Sequence, residues 1–149
     1  IPPSIGNLIS MEKFDLSENS ITGVLPFGMS TMTNLTKLIV SENRIGGKIP
    51  QYFGLFTKLN TLYLHANGLT GTIPTRLELL TDLHQLTLHA LSVTGNVPAG
   101  LCTLRTDNEL FNVLTADCAG DLPEVVCDCC TQCIYTPMIA AQQASDIGA

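Results

Sequence analysis

The chain has 149 residues, a formal net charge of -6 at pH 7 and only 13% charged residues. Its seven lysines and arginines form no clustered patch, which argues against nucleic acid as a partner, because phosphate backbones require grouped cations. No apolar run approaches the roughly 20 residues of a membrane-spanning helix. The length and the 45% of hydrophobic residues predict a single domain with a large buried core.

A 24-residue repeat begins near the start of the chain. The first segment, IPPSIGNL, lacks the pattern of a signal peptide and resembles the end of a repeat, so we expect the natural chain to extend upstream. The phrase SENSITGVLP then returns as SENRIGGKIP, HANGLTGTIP and HALSVTGNVP. Asparagine, glycine and proline each hold one position of the repeat: Asn19, Asn43 and Asn67, with Leu91 in the fourth place; Gly23, Gly47, Gly71 and Gly95; Pro2, Pro26, Pro50, Pro74 and Pro98.

Each repeat predicts one turn of a coil. A segment such as LNTLYLHAN alternates apolar and polar residues as a strand does, and strands of successive coils would stack about 4.8 Å apart in a parallel sheet. The asparagine is placed to hydrogen-bond the backbone of neighbouring coils, and the glycine permits the bend that follows. After the proline, a segment such as QYFGLFTKL predicts a short helical turn. Stacked coils would share one core of four rows: Phe14, Leu38, Leu62 and Leu86; Leu16, Val40, Leu64 and Leu88; Ile5, Met29, Phe53, Leu77 and Leu101; Leu8, Met32, Phe56, Leu80 and Leu104.

The pattern over residues 1–104 resembles the plant-type leucine-rich repeat, LxxLxxLxLxxNxLxGxIPxxLGxL. The resemblance implies an α/β solenoid: a right-handed superhelix with about five parallel strands on its concave face and short 3-10 or helical turns on its convex side. Members are extracellular receptor ectodomains and secreted inhibitors of plants, which implies a concave surface that binds a protein, a peptide or a glycan. The resemblance also leaves open that the chain is part of a membrane-anchored protein or of a larger complex.

The repeat changes towards the end of the chain. Leu91 replaces the asparagine, so we expect the hydrogen-bond ladder to stop there and the interior to become purely apolar. The segment RTDNEL inserts about four residues before a fifth strand in FNVLTADC, whose core positions are Phe111, Leu114 and Ala116. Residues 105–133 are therefore predicted to form the last strand and a cap, and residues 134–149 a tail or linker.

Six cysteines lie in the last third of the chain, at Cys102, Cys118, Cys127, Cys129, Cys130 and Cys133. An even number, placed where a solenoid must close its open end, predicts disulfide bonds, whose connectivity stays open. The alternatives are a zinc site, which lacks the usual pair of separated C-x-x-C motifs, and redox-active thiols. The cap is similar to the cysteine-rich ends of secreted algal leucine-rich repeat proteins. Disulfides predict an extracellular, cell-surface or lumenal location, and the glycosylation sequon at Asn34 agrees with it.

Residues between the core positions of each strand are expected on the concave face. One predicted column contains Asp15, Ile39, Tyr63, Thr87 and Thr115. A second contains Ser17, Ser41, His65, His89 and Asp117, and a third Glu12, Thr36, Asn60, His84 and Asn112. Ile39 and Tyr63 are either anchors for a ligand or ordinary surface residues. The candidate ligand-binding residues are Asp15, Ile39, Tyr63, His65, His84, Thr87 and His89.

All three histidines are expected on this face, with His65 and His89 about 4.8 Å apart and Asp117 beyond them. Such a ladder binds a divalent metal ion, senses pH or is plain surface, and the sequence identifies no outer partners for the rings. An acidic group of Glu12, Asp15, Glu18 and Glu42 predicts a partner with basic residues at the upstream end.

The sequence favours a non-catalytic recognition module over an enzyme. It contains no nucleophile elbow, phosphate-binding loop or metalloprotease motif, and no cofactor is implied. The alternatives are a structural or docking subunit of a larger assembly and, less favoured, an ice- or mineral-adsorbing surface. The last would use a row of Thr22, Thr70 and Thr94, which Gly46 interrupts.

Overall fold

The computed structural model describes residues 1–107, 109–119 and 123–135. Most of the tail predicted for residues 134–149 lies outside these ranges. The described residues contain four 3-10 turns, Pro3–Asn7, Phe27–Thr31, Gln51–Leu55 and Thr75–Leu79, and one helix, α1, at Ala99–Asp107. Their strands β1 to β10 are Lys13–Asp15, Lys37–Ile39, Gly46–Lys48, Thr61–Tyr63, Gly68–Thr72, Gln85–Leu88, Ser92–Asn96, Val113–Ala116, Val125–Val126 and Gln132–Cys133.

The first sheet confirms the predicted stacking of the repeat. Its parallel strands lie in the order β1, β2, β4, β6, β8 and β10, and the first four pair at a step of 24 residues. Strand β8 pairs 28 residues after β6, with Leu114 opposite Leu86, as the inserted residues predict. The cap contributes β10 as a sixth strand, one more than the repeat by itself predicts.

A second parallel sheet is formed by segments that follow the asparagine position of the repeat, where the sequence predicted only an extended segment. Its strands lie in the order β3, β5, β7 and β9, and Thr70 pairs with Ser92 rather than with Thr94. These strands are thus offset by two residues relative to the 24-residue repeat, an even offset that keeps the same side chains outward. The predicted row of Thr22, Thr70 and Thr94 is therefore wrong, and Thr94 pairs with Thr72 instead.

The turns that return the chain begin directly after a proline. Pro26, Pro50 and Pro74 hold extended backbone before each 3-10 turn, because the pyrrolidine ring fixes φ near the required value. Successive turns pack tightly: a Cβ atom on Gly54 would lie 2.5 Å from the carbonyl oxygen of Arg76. In the last coil the inserted residues lengthen the turn into α1.

One continuous core runs through the stack, as predicted. Each coil from the second onward contributes fully buried side chains to the same rows, such as Met29, Phe53, Leu77 and Leu101. Leu8 in the first coil is an exception at 44% exposed, because only one neighbouring coil covers that end.

The asparagines act as predicted, but the interior at Leu91 is not purely apolar. The side-chain amide of Asn67 donates to the carbonyl oxygen of Val40 in the preceding coil at 2.9 Å, and its oxygen accepts from the backbone N–H of Ile45 at 3.0 Å. At Leu91, the buried carboxylate of Asp117 accepts from the backbone N–H at 3.2 Å. The prediction of a purely apolar interior there is wrong, because an acidic side chain turns inward from the next coil.

Three disulfide bonds close the downstream end: Cys102–Cys129, Cys118–Cys133 and Cys127–Cys130. The first ties α1 to the cap, and the second ties the end of β8 to β10. The sulfur atoms of Cys118, Cys127 and Cys130 lie within 4.8 Å of one another, but each belongs to a disulfide and offers no thiolate to zinc. The bridges indicate an oxidising environment. Across the described residues, none of the helical segments has the length and hydropathy of a membrane span.

Candidate ligand-binding face

The outward row of the first sheet has the predicted members in the predicted order. Backbone pairing aligns Asp15, Ile39, Tyr63, Thr87 and Thr115 on five consecutive strands. Ile39 and Tyr63 are partly exposed neighbours, whereas Thr87 is only 7% exposed. Thr87 was expected as an exposed ligand-binding residue, and the structure corrects this, because the ring of His65 contacts its hydroxyl.

His65 and His89 are direct neighbours, as predicted. Their rings stack with centroids 4.6 Å apart and planes inclined by 14°. Each ring is also held by a threonine of the following coil: Nδ1 of His65 lies 2.7 Å from the hydroxyl of Thr87, and Nδ1 of His89 lies 2.8 Å from that of Thr115. The sequence identified no outer partners for these rings, and the two threonines supply them.

Partial burial favours the neutral form of both histidines. Desolvation, followed by the charge of His89, lowers the pKa of His65, and the Glu42 carboxylate, 3.9 Å from Nε2, partly opposes this shift. Desolvation also lowers the pKa of His89, against the opposing charge of Asp117. Asp117 was expected on the open face beyond the histidines, but it is only 6% exposed.

Tyr63 connects the histidine pair to a row that sequence reasoning missed. Its ring lies edge-on to His65 at 6.0 Å, and its hydroxyl donates a hydrogen bond to the side-chain oxygen of Gln85. Gln85 lies two residues before Thr87, and strict alternation along the strand could have placed it on this face. The missed row consists of Lys13, Lys37, Thr61, Gln85 and Val113.

The missed row also changes the charge of the upstream end. Lys13 and Lys37 are exposed beside Asp15, so this end carries positive charges in addition to the predicted acidic group. Asp15 accepts from the backbone N–H and the hydroxyl of Ser17, and these two hydrogen bonds lower its pKa. Glu42 lies in the turn after β2 with a positive φ of 56°, which turns its side chain towards His65.

His84 does not join the other two histidines. It lies just before β6 and lines an open groove of about 420 Å³ together with Lys58, Asn60, Thr81, Asp82 and Leu110.

The carbonyl oxygen of the Asn34 side chain accepts from Nζ of Lys58 at 2.8 Å, and its amide donates to the carbonyl oxygen of Ile9 at 3.0 Å. Glycosylation of Asn34 stays a prediction.

The comparisons with known proteins agree with this geometry. A family model described as Leucine Rich Repeat matches residues 10–32, 34–56 and 58–80. The chain is a leucine-rich repeat solenoid. Among curated protein sequences no match is found.

Three solved structures show what the solenoid is similar to. The ectodomain of the receptor kinase GASSHO1/SCHENGEN3 from Arabidopsis thaliana, in complex with CASPARIAN STRIP INTEGRITY FACTOR 2, is 30% identical with a TM-score of 0.68. The plant peptide hormone receptor RGFR1 in complex with RGF2 is 33% identical with a TM-score of 0.69. Each match covers 70% of this chain, but only 13% and 17% of the respective receptor chains.

The third structure is a plant ice-binding protein. It is 26% identical with a TM-score of 0.69, and the match covers 85% of this chain and 38% of that protein. The solenoid therefore spans well under half the length of all three.

Proposed function

We propose that this solenoid is a non-catalytic recognition module that binds an extended protein or peptide segment on its concave face, outside the cell or in another oxidising compartment. The observation that carries the proposal is an aromatic–aliphatic patch on consecutive strands, formed by Ile39, Tyr63, His65 and His89. Such side chains offer large contact area at low entropic cost, which is why aromatic residues dominate binding hot spots.

The dimensions of the patch suit a short extended segment. It crosses strands spaced about 4.8 Å apart, so it extends over roughly 10–15 Å, the length of three or four residues of extended chain. The mixed charges of Lys13, Lys37 and Asp15 form a polar rim at one end of the patch. Such a rim fixes the position of a ligand along the face more than it increases the affinity. Two of the similar solved structures hold a peptide hormone or an integrity factor, which supports a ligand of this class.

The test is capture of a binding partner from the extracellular fraction of the native source, followed by affinity measurement with the captured protein or peptide. We expect Tyr63→Ala with Ile39→Ala to weaken binding by roughly 30-fold or more, the effect of losing about 2 kcal/mol at a hot spot. Phe27→Ala is the matched control, because Phe27 is an exposed aromatic residue in a 3-10 turn away from the sheet.

The pattern of affinity losses distinguishes a binding site on the concave face from one on the convex side. Loss with the double variant and retention with Phe27→Ala supports the concave face. The opposite pattern supports a docking subunit that uses its convex side, and retention by both variants contradicts the proposed patch. Circular dichroism and the melting temperature confirm that each variant is folded.

A second candidate function rests on the outer face of the second sheet. Four exposed hydroxyl side chains, Thr70, Thr72, Ser92 and Thr94, lie two residues apart along β5 and β7 and directly opposite one another. Parallel strand geometry spaces them by about 4.8 Å across the strands and about 6.6 Å along them, a regular array that suits adsorption to ice. The similar plant ice-binding protein favours the same candidate.

Ice recrystallisation and thermal hysteresis test this candidate directly. We expect the wild-type protein to inhibit ice growth and Thr72→Lys with Thr94→Lys to abolish the inhibition, while Tyr63→Ala leaves it unchanged. Ice growth at the rate of a buffer containing an inert protein would exclude the candidate.

A further inference from the structure

Asn67 and Gly68 form the one asparagine–glycine step of the sequence, and they lie where the chain passes from β4 into β5. Asparagine is a chemically labile residue, and the residue that follows it governs how fast it reacts. Glycine has no side chain to shield its backbone nitrogen, so that nitrogen can reach the side-chain amide carbon of the asparagine. In the preceding coil the equivalent Asn43 is followed by Arg44, whose side chain hinders the same approach.

We propose that Asn67 is a site of spontaneous deamidation, which the hydrogen bonds between coils hold unreactive until the coil that carries it opens. In the reaction the backbone nitrogen of Gly68 forms a bond to Cγ of Asn67. Nδ2 leaves as ammonia and takes the proton of the Gly68 N–H group with it. One water molecule then opens the resulting succinimide ring to aspartate or isoaspartate, so water is the only co-reactant.

The folded structure holds the reacting amide in contact with the preceding coil. Nδ2 of Asn67 donates to the carbonyl oxygen of Val40 at 2.9 Å, and Oδ1 accepts from the backbone N–H of Ile45 at 3.0 Å. Nδ2 also donates to the carbonyl oxygen of Leu64 at 3.1 Å. Because ring closure expels Nδ2 and turns Cγ towards Gly68, the amide has to leave these partners. The reaction therefore requires a local opening of the stack, which costs free energy.

The fold does not require a glycine at position 68. The φ angle of Gly68 lies outside the left-handed region, whereas Gly71 in the same strand has a φ of 82°. A Cβ atom on Gly68 would lie 3.5 Å from the carbonyl oxygen of Ile45, an ordinary contact. The reactive step is therefore not a by-product of the turn, and Gly68→Ala is a variant that the fold accommodates.

Deamidation would make the opening permanent. An aspartate at position 67 has no N–H group to donate to Val40 and Leu64, and its negative charge faces their carbonyl oxygens. Isoaspartate in addition lengthens the backbone and shifts the residues that follow out of register. The modified coil therefore packs less stably, and each opening that ends in deamidation removes a molecule from the folded population.

The rate of deamidation, followed by peptide mapping and mass spectrometry, tests the proposal. The full chain with its disulfides intact is incubated in mildly alkaline buffer, in one series folded and in the other unfolded in concentrated urea. In urea we expect Asn67 to react at least about 10-fold faster than Asn43, because a glycine follows it. In the folded protein we expect Asn67 to react at least about 100-fold more slowly than in urea. Urea below the unfolding transition should raise this rate.

Two controls separate the effect of the following residue from that of the fold. Asn43 is an internal control, because its side chain accepts from the backbone N–H of Ile21 in the same way as Asn67 accepts from Ile45. Gly68→Ala should slow the reaction in urea by at least about 10-fold and leave the melting temperature close to that of the wild type.

A product mimic measures the effect of the modification on the fold. Asn67→Asp should unfold at a lower temperature than the wild type. Asn19→Asp should have a much smaller effect, because the exposed side chain of Asn19 donates to carbonyl groups of its own coil.

Equal rates at Asn67 in the folded and unfolded protein would overturn the proposal. A rate in urea that is no higher at Asn67 than at Asn43, or that Gly68→Ala leaves unchanged, would also overturn it. Equal melting temperatures for Asn67→Asp and Asn19→Asp would contradict the permanent opening. The result does not depend on the proposed recognition function, because no ligand takes part in the measurement.

Discussion

The carboxylate of Asp117 accepts a hydrogen bond from the backbone N–H of Leu91, in the coil where leucine replaces the asparagine of the repeat. In the preceding coils the equivalent backbone N–H groups, those of Asn43 and Asn67, donate to the backbone carbonyl oxygens of Ala66 and Ala90 in the next coil. In the last coil the side chain of Asp117 thus takes the place of a backbone carbonyl oxygen.

Removal of this acceptor should destabilise the fold. We expect Asp117→Ala to lower the free energy of unfolding by about 1–3 kcal/mol, because a buried N–H group loses its partner. Asp117→Asn keeps an acceptor oxygen and should lose less. Urea denaturation followed by circular dichroism measures both, and equal losses for the two variants would contradict this role.

The asparagine ladder makes a matched pair of variants available. Asn67 bonds to the backbone of the preceding coil at Val40 and Ile45, whereas exposed Asn19 donates to carbonyl groups of its own coil. We expect Asn67→Leu to cost about 2–4 kcal/mol of unfolding free energy and Asn19→Leu less than about 1 kcal/mol. Similar losses at both positions in urea denaturation would show that the bonds between coils are unimportant.

The disulfides should differ in their contribution to stability. Cys102–Cys129 spans 27 residues and Cys127–Cys130 spans 3. Loop-closure entropy predicts losses of about 3.5 and about 1.6 kcal/mol when the respective pair is replaced by alanine. Thermal unfolding of the two double variants, with the other bridges verified by mass spectrometry, tests the order. A larger loss from the shorter loop would contradict the entropic explanation.

The histidine pair predicts a loss of stability in acid. Because the pKa values of His65 and His89 are lowered in the folded protein, the unfolded chain binds protons first as the pH falls below about 6.5. The destabilisation is absent above that pH. It grows as the pH falls, until the pH lies below the pKa values of the two histidines in the folded protein. Both imidazoles are partly solvated, which limits the size of the effect.

Unfolding experiments at a series of pH values from 8 to about 5 measure this dependence. The variant that combines His65→Gln and His89→Gln should lose less stability over the range than the wild type. An identical pH profile for the two proteins would show that the pair does not titrate differently on folding.

Much of the concave face was predictable from the chain alone. The 24-residue period placed Ile39 beside Tyr63 and His65 beside His89, because equivalent residues of a regular coil become neighbours on adjacent strands. The burial of Thr87 was not predictable, because it depends on the direction in which the His65 ring turns. The offset of the second sheet was missed as well, since hydrogen bonding there does not follow the repeat.

The sequence by itself determined the solenoid, the rows of its core and the face that each strand exposes, because these follow from local alternation and one period. Only the tertiary structure decided the three disulfide pairings, the inward turn of Asp117 and the threonine contacts of the histidines. Those features join side chains from coils or cap segments that share no repeat position, and packing in three dimensions alone brings them together.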